Sequence, residues 1–162
     1  ITDSMGAPDP QLALAIRARN LVPGDTDLCW TRITRWRALL AAALDQFPHR
    51  VTSALVRSTP DNACSTLLVT WLEQQLGVPV LHEDSDQPGI SEARLTTDQG
   101  DIVINRGRSE TIARYAVPGQ PERKVALKRR PLTELLTEEL QRMDPDAVFE
   151  SVVSHIATRV GE

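Results

Sequence analysis

The segment from residue 51 to residue 81 constrains the fold more than any other part of the chain. Residues 51–56 form a short apolar run typical of a buried strand. Thr59 can cap a following helix with Pro60 at its first position, and Gly77 stands where a left-handed residue would end that helix. Residues 78–81 then indicate a second strand. A strand, a helix and a strand in this order predict a βαβ crossover, with two parallel strands and the helix on one face of the sheet.

The chain after this crossover predicts a mixed sheet in an α/β domain. Strand-like segments at residues 90–97, 102–105, 111–116 and 123–127 are separated by Gly-containing turn signals. Short connections between consecutive strands favour antiparallel pairing, so these four segments are expected to form a meander.

Helices are predicted on both sides of these strands. A helix of five turns precedes the crossover, and Trp36 lies at the centre of its apolar stripe. Trp71 lies on the apolar face of the crossover helix, and both indoles are expected in the core. Two helices are predicted at the C-terminal end, the second with Asp144 as its cap and Pro145 at its first position.

The chain is expected to hold one domain and the end of another. The chain begins without Met and its opening stretch to Pro10 is polar, and a short helix is predicted between Pro10 and a break at Val22-Pro23-Gly24. We therefore expect residues 1–24 to be a linker and short helix from the end of a missing N-terminal domain. Residues 25–162 are expected to form a single α/β domain.

The composition excludes several classes of protein. The chain has 18 Lys and Arg against 22 Asp and Glu, a formal charge of -4, which argues against nucleic acid as the main ligand. Cys29 and Cys64 belong to no CxxC pair, and no apolar run is long enough to span a membrane. A cytoplasmic protein is expected. Near helix starts these thiols could have a lowered pKa, but their apolar positions favour buried, inert cysteines.

Motifs of known chemistry are missing from the sequence. It contains no GxSxG, HExxH, GxGxxG or GxxxxGK[ST] pattern, and its three histidines lie far apart. The sequence therefore predicts no catalytic residues, no metal and no cofactor.

The helix segment from residue 27 to residue 37 is the first candidate site. Arg32 projects close to the apolar face, where a charge needs a partner. That partner is either a carboxylate, from Asp27 or a later helix, or an anion or protein ligand. Trp30 and Arg37 share the flank of the apolar stripe, and an exposed Trp beside an Arg is typical of an interface. Whether Trp30 is exposed stays open at this point.

Two further candidates are a turn and a basic run. The turn contains Ser58 and Asn62 before the crossover helix, where it either binds an anion or only caps the helix. The basic run predicts either a solvated edge strand or a binding surface. It consists of Arg123, Lys124, Lys128, Arg129 and Arg130.

Three segments of the chain also carry a family pattern. They are Asp27-Leu28-x-Trp30-x-Arg32-Ile33-x-x-Trp36-Arg37, then Pro118-Gly119-Gln120-Pro121 followed by Arg129-Arg130, then Glu138-Glu139-Leu140 before Met143-Asp144-Pro145-Asp146. In order and spacing they resemble the C-terminal half of the actinobacterial OpcA family of glucose-6-phosphate dehydrogenase assembly proteins.

This resemblance implies a partner and an activity. The partner is glucose-6-phosphate dehydrogenase, and the implied role is its assembly and activation in the oxidative pentose phosphate pathway, without catalysis. The alternative from the residues themselves is a domain that binds a sugar phosphate or a nucleotide, or a cryptic enzyme acting on one. That alternative would use Arg32, Arg37 and the turn at Ser58.

Overall fold

The computed structural model describes residues 1–109, 111–142 and 144–160, apart from the side chain of Val160. Met143, from the third family segment, and residues 161–162 of the expected domain lie outside this part. The predicted α/β class with a mixed sheet is confirmed. The strands are β1 Val51–Ser58, β2 Val80–Asp84, β3 Ile90–Thr97, β4 Gly100–Asn105, β5 Ile112–Ala116 and β6 Arg123–Ala126. The helices are α1 Pro10–Arg19, α2 Leu28–Gln46, α3 Ala63–Leu76, α4 Leu132–Gln141 and α5 Ala147–Val160.

The six strands form one sheet in the order β2-β1-β3-β4-β5-β6. β1 and β2 are parallel and are joined through α3, as the crossover predicted. β3, β4, β5 and β6 follow as an antiparallel meander, and β3 also pairs with β1 in antiparallel fashion. β2 and β6 are therefore the edges of this sheet.

One predicted helix end is confirmed and two are wrong. Gly77 ends α3 with a left-handed φ of 63°, as predicted, and Asp27 caps α2. α3 is capped by Asn62 rather than by Thr59, because Asp61 adopts φ 55° and turns the chain so that the Asn62 amide oxygen reaches the backbone N–H of Ser65.

The last helix likewise begins two residues later than predicted. The carboxylate of Asp146, not that of Asp144, accepts hydrogen bonds from the backbone N–H groups of Val148 and Phe149. This is the geometry of an N-cap, so Pro145 lies before the helix instead of opening it.

One face of the sheet is apolar and packs against the helices. Trp36 is 2 % exposed and belongs to this core, which confirms its predicted burial. Trp71 is only partly buried and packs at the margin of the core. The sheet contributes Ala54, Val56, Ala93, Leu95, Ile102, Ile104, Ala113 and Tyr115 to this core.

The other face of the sheet is open and carries a row of polar side chains across all six strands. Arg57 lies between Glu83 and Glu92, and its Nε donates to Glu83 Oε2 over 2.7 Å. Arg57 and Glu83 are each 40 % exposed, so solvent reaches this face. From β2 to β6 the polar row consists of Glu83, Arg57, Glu92, Asn105, Arg114 and Lys124.

The first 24 residues lie against the rest of the chain. α1 buries Leu14 and Ala18 and packs against α5, and Gln11 exchanges hydrogen bonds with Thr66 of α3. Whether these residues end a preceding domain stays a prediction. None of the described helices has the length and apolar character needed to cross a membrane.

Candidate functional site

A cavity of about 200 Å³ lies at the end of the sheet where β1, β4 and β6 finish and β3 begins. Candidates from three separate sequence segments meet here. Its lining includes Arg32 from α2, Asn62 from the start of α3, and Lys128, Arg129 and Arg130 from the segment after β6. We call this cavity the cationic pocket.

Sequence reasoning missed one further cation of this pocket. Arg106 follows β4, and its Nη2 donates to the carbonyl of Ile90 over 2.7 Å while its guanidinium lies 5.2 Å from the ring of Trp36. Arg106 stands beside a turn, which is an ordinary place for a surface arginine, so nothing local pointed to it. The pocket thus has five cationic side chains, and no Asp or Glu is among its described lining residues.

Arg32 forms a paired contact with the carboxylate of Asp3. Its Nη1 and Nη2 donate to the two Asp3 oxygens over 2.5 Å and 2.9 Å. The expected carboxylate partner is confirmed, but it comes from the N-terminal segment and not from Asp27 or a later helix. Burial acts to lower the pKa of Arg32, but the hydrogen bonds to Asp3 together with nearby negative charge outweigh it, so the pKa lies above its ordinary value.

Two other cations of the pocket also form hydrogen bonds with groups outside its lining. Arg130, whose side chain is 5 % exposed, donates to Glu138 and to the carbonyl of Thr31. Lys128 is 46 % exposed, and its Nζ lies 2.5 Å from Glu134 Oε1. This hydrogen bond lowers the pKa of Glu134. Both carboxylates lie outside the pocket lining, so they pair with the cations without filling the cavity.

Ser58 and Asn62 are used inside the fold. Asn62 caps α3, and its amide nitrogen donates to Thr59 Oγ1. The hydroxyl of Ser58 is fully buried and lies 3.0 Å from Ser65 Oγ and 2.9 Å from Nε2 of His82. The sequence separation of 24 residues hid this serine–histidine contact, which the parallel pairing of β1 and β2 creates. A substrate has no access to that hydroxyl in this conformation.

Trp30 is buried, which answers the question left open by the sequence. It is 1 % exposed, and its Nε1 donates to Asp146 Oδ2 over 2.8 Å. The guanidinium of Arg37 lies 3.6 Å from the centre of its ring, as in a cation–π contact. Burial lowers the pKa of Arg37 to about 10. Trp30 is therefore a packed side chain and is not available as an exposed interface anchor.

A second, open groove lies beside this pair. It has a volume of about 590 Å³ and runs between α2 and the start of α5. Arg37 and Trp71 line one side, and Arg142, Pro145 and Asp146 line the other. We call it the α2–α5 groove. It joins the first and third family segments.

The basic run is divided between two places. Arg123 and Lys124 are exposed on the edge strand β6, whereas the run continues through Lys128 into the cationic pocket. The guanidinium of Arg123 lies 5.2 Å from the ring of Tyr115 on the neighbouring strand. The edge-strand prediction therefore holds for the first two cations only.

The cysteines and nearby acids are buried or engaged in hydrogen bonds within the protein. Cys29 and Cys64 are buried free thiols, and a hydrogen bond between the two thiols, together with burial, raises the pKa of Cys29. Asp3, Asp27 and Cys29 are close enough to share a metal ion. However, Arg32 binds Asp3, and Asp27 accepts hydrogen bonds from its own neighbours, so these oxygens are engaged within the protein. Burial acts to raise the pKa of Asp27, but these hydrogen bonds outweigh it and lower the pKa.

Comparison with known proteins identifies the family. A family model described as the C-terminal domain of the glucose-6-phosphate dehydrogenase subunit matches residues 23–153. This span contains all six strands and every residue of the cationic pocket except Met5. Among curated proteins, none matches the chain significantly. The match confirms the resemblance seen in the three sequence segments, and the chain belongs to this family of C-terminal domains of the glucose-6-phosphate dehydrogenase subunit.

Proposed function

We propose that this chain is a non-catalytic, cytoplasmic assembly domain that binds glucose-6-phosphate dehydrogenase and promotes its active oligomer in the oxidative pentose phosphate pathway. The observation that carries the proposal is the family match over residues 23–153, since the family is described as a subunit of that dehydrogenase. The order and spacing of the three family segments support the same role.

Contacts among the family segments support a scaffold. Thr31 Oγ1 donates to Glu139 Oε2 over 2.6 Å, and Arg130 donates to the carbonyl of Thr31. Trp30 donates to Asp146. These contacts join α2, α4 and the start of α5 into one packed layer. Because these side chains are engaged in structural contacts, they favour a rigid binding surface over a set of reacting groups.

The buried state of Ser58 also supports a role without catalysis. Its contact with His82 is the arrangement in which a base activates a nucleophile. A nucleophile must reach its substrate, and this hydroxyl is fully buried and donates to the carbonyl of Thr59. We therefore interpret the contact as a structural hydrogen bond between β1 and β2.

The edge strand β6 is the surface that we propose for the encounter with the dehydrogenase. Arg123 and Lys124 are exposed there, on a protein whose formal charge is -4. A local cluster of like charge accelerates association with an acidic partner surface, and salt screens the effect. Lys128 is left out of this surface because it lines the cationic pocket.

The test is the rate of association with the dehydrogenase at two salt concentrations, measured by stopped flow. The double variant Arg123→Glu/Lys124→Glu should associate about tenfold more slowly at low salt, and the difference should shrink at high salt. Arg50→Glu/Arg108→Glu is the matched control, because it makes the same charge change at two exposed positions outside β6. The control should slow association by less than about twofold.

The binding surface and the assembly role are tested by different measurements. Equal on-rates for the two double variants would remove β6 from the interface and leave the assembly role intact. Sedimentation of the dehydrogenase with and without the wild-type chain tests that role directly. If neither its oligomeric state nor its activity changed with saturating wild-type chain, the proposed function would be wrong.

A further inference from the structure

We propose that the cationic pocket binds the phosphate group of a small molecule, either free phosphate or a compact phosphomonoester. This site goes beyond the proposed function, because neither partner binding nor the family description calls for a small ligand. The proposal stands on the charges, the walls and the size of the cavity.

The charge of the lining suits a phosphate. Four guanidinium groups and one ammonium group line a single cavity whose described lining includes no carboxylate. A guanidinium offers a planar fork of donors that matches two oxygens of a phosphate, and a lysine adds a point charge. The charged side chains of the described lining are all cationic, on a chain whose formal charge is -4.

The cations are oriented before any ligand arrives. Asp3 holds Arg32 through two hydrogen bonds, and Glu138 holds Arg130. Like charges around one cavity repel each other, and carboxylates placed outside the lining offset that repulsion. Groups fixed in this way lose little conformational freedom on binding, which favours affinity.

The backbone at Gly89 also makes room for this arrangement. Gly89 adopts a φ of +60°, and a Cβ at this position would lie 2.9 Å from Nη1 of Arg129. Any other residue would displace that guanidinium. The other terminal nitrogen of the same guanidinium, Arg129 Nη2, donates to the carbonyl of Gly107 over 2.9 Å. The turn before β3 is thus shaped to let Arg129 reach the pocket.

The walls and volume limit the size of the ligand. Met5, Ile33, Trp36 and Ile90 supply apolar wall, against which a short carbon skeleton can pack. The cavity of about 200 Å³ is smaller than the sites of roughly 300 to 1,000 Å³ that enclose drug-sized ligands. A phosphate with a compact body fits this volume, and a dinucleotide does not.

The ion pair between Lys128 and Glu134 provides the sharpest test, because its two halves should act in opposite directions. Lys128→Gln removes a phosphate ligand, so it should weaken binding about tenfold. Glu134→Gln frees Lys128 from a competing carboxylate, so it should tighten binding about threefold. A purely structural ion pair would give both variants the same direction of change. Lys124→Gln is the matched control, with the same substitution on the same basic run outside the pocket, and it should change affinity by less than about twofold.

Binding is measured by isothermal titration calorimetry on the full chain, without the dehydrogenase, so that the result is independent of the proposed function. The probes are inorganic phosphate, glucose 6-phosphate and glucose. Equal affinity for the first two would identify free phosphate as the ligand, and tighter binding of the ester would identify a phosphomonoester. Glucose should not bind.

Three results would overturn the site. One is no binding of phosphate or glucose 6-phosphate with a Kd below about 1 mM. Another is the same loss of affinity in Lys124→Gln as in Lys128→Gln, which would indicate diffuse attraction. The third is a shift in the same direction for Lys128→Gln and Glu134→Gln.

Discussion

The cationic pocket and the α2–α5 groove each contain an arginine from α2, and the two arginines are five residues apart. The two environments shift the pKa of the arginine in opposite directions. In the pocket, Asp3 faces Arg32 and keeps its pKa above the ordinary value. In the groove, Arg37 lies on the ring of Trp30, and its Nε finds no hydrogen-bond partner among the described residues. Burial there lowers the pKa of Arg37 to about 10. The first arginine is stabilised as a charge, whereas the second serves mainly to cover an aromatic ring.

The largest difference between the two regions should come from their tryptophans. Trp36→Ala at the pocket wall should lower the free energy of unfolding by about 3 to 5 kcal/mol, because it removes a large side chain that is almost fully buried. Trp71→Ala at the groove should cost about 1 to 2 kcal/mol, since this side chain is only partly buried. Urea denaturation of both variants measures the two values. Equal losses would mean that the groove wall is as much a part of the core as the pocket wall.

The next largest difference in the free energy of unfolding should be between variants of Arg32 and Arg37. Arg32→Met leaves Asp3 without its partner in a partly buried position and should cost about 2 kcal/mol. Arg37→Met keeps most of the contact with Trp30 and removes a poorly solvated charge, so its effect should stay within about 0.5 kcal/mol. The same denaturation assay compares them. A greater loss for Arg37→Met would show that its contact with the ring depends on the charge.

The smallest expected effect is on how the free energy of unfolding changes with pH. Burial acts to raise the pKa of Asp146, but hydrogen bonds from Phe149 and Trp30 outweigh it and lower the pKa. A carboxylate with a lowered pKa in the folded state stabilises the fold above its unfolded pKa of about 4, and that contribution is lost as the pH falls through the folded value.

Asp146→Asn should therefore be less stable than the wild type by about 1 kcal/mol at pH 7, and the difference should shrink below about pH 4. Denaturation midpoints between pH 3 and pH 7 test this. A constant deficit for Asp146→Asn would mean that shape alone, and not charge, holds Trp30.

Much of the fold could be predicted from local sequence patterns, but the candidate sites could not. The crossover from residue 51 to residue 81 and the four meander strands depend on spacing and turn residues, which are visible within a short stretch of chain. The cap of α3 was misplaced because Thr59 and Asn62 are both good caps, and only the left-handed turn at Asp61 decides between them.

The cationic pocket depends on contacts that no local pattern contains. Arg32 and Arg130 were singled out separately, and only the tertiary fold brings them to one cavity. Asp3 pairs with Arg32 across 29 residues, and Arg106 stands in a turn where an arginine is common. Charge alone indicated the basic run, but its division between β6 and the pocket required the strand boundaries.

The polar row on the open face of the sheet has a consequence for folding fidelity. Successive residues of a strand point to opposite faces, so a slip of β3 by one residue would turn Glu92 under the helices and Ala93 out to solvent. The carboxylate of Glu92 would then lose Asn105 of β4 and Arg57 of β1 and would enter the apolar layer together with Arg94, at a cost of several kcal/mol. The row thus acts as a check on strand alignment, because a misaligned β3 would place charged side chains against the helices.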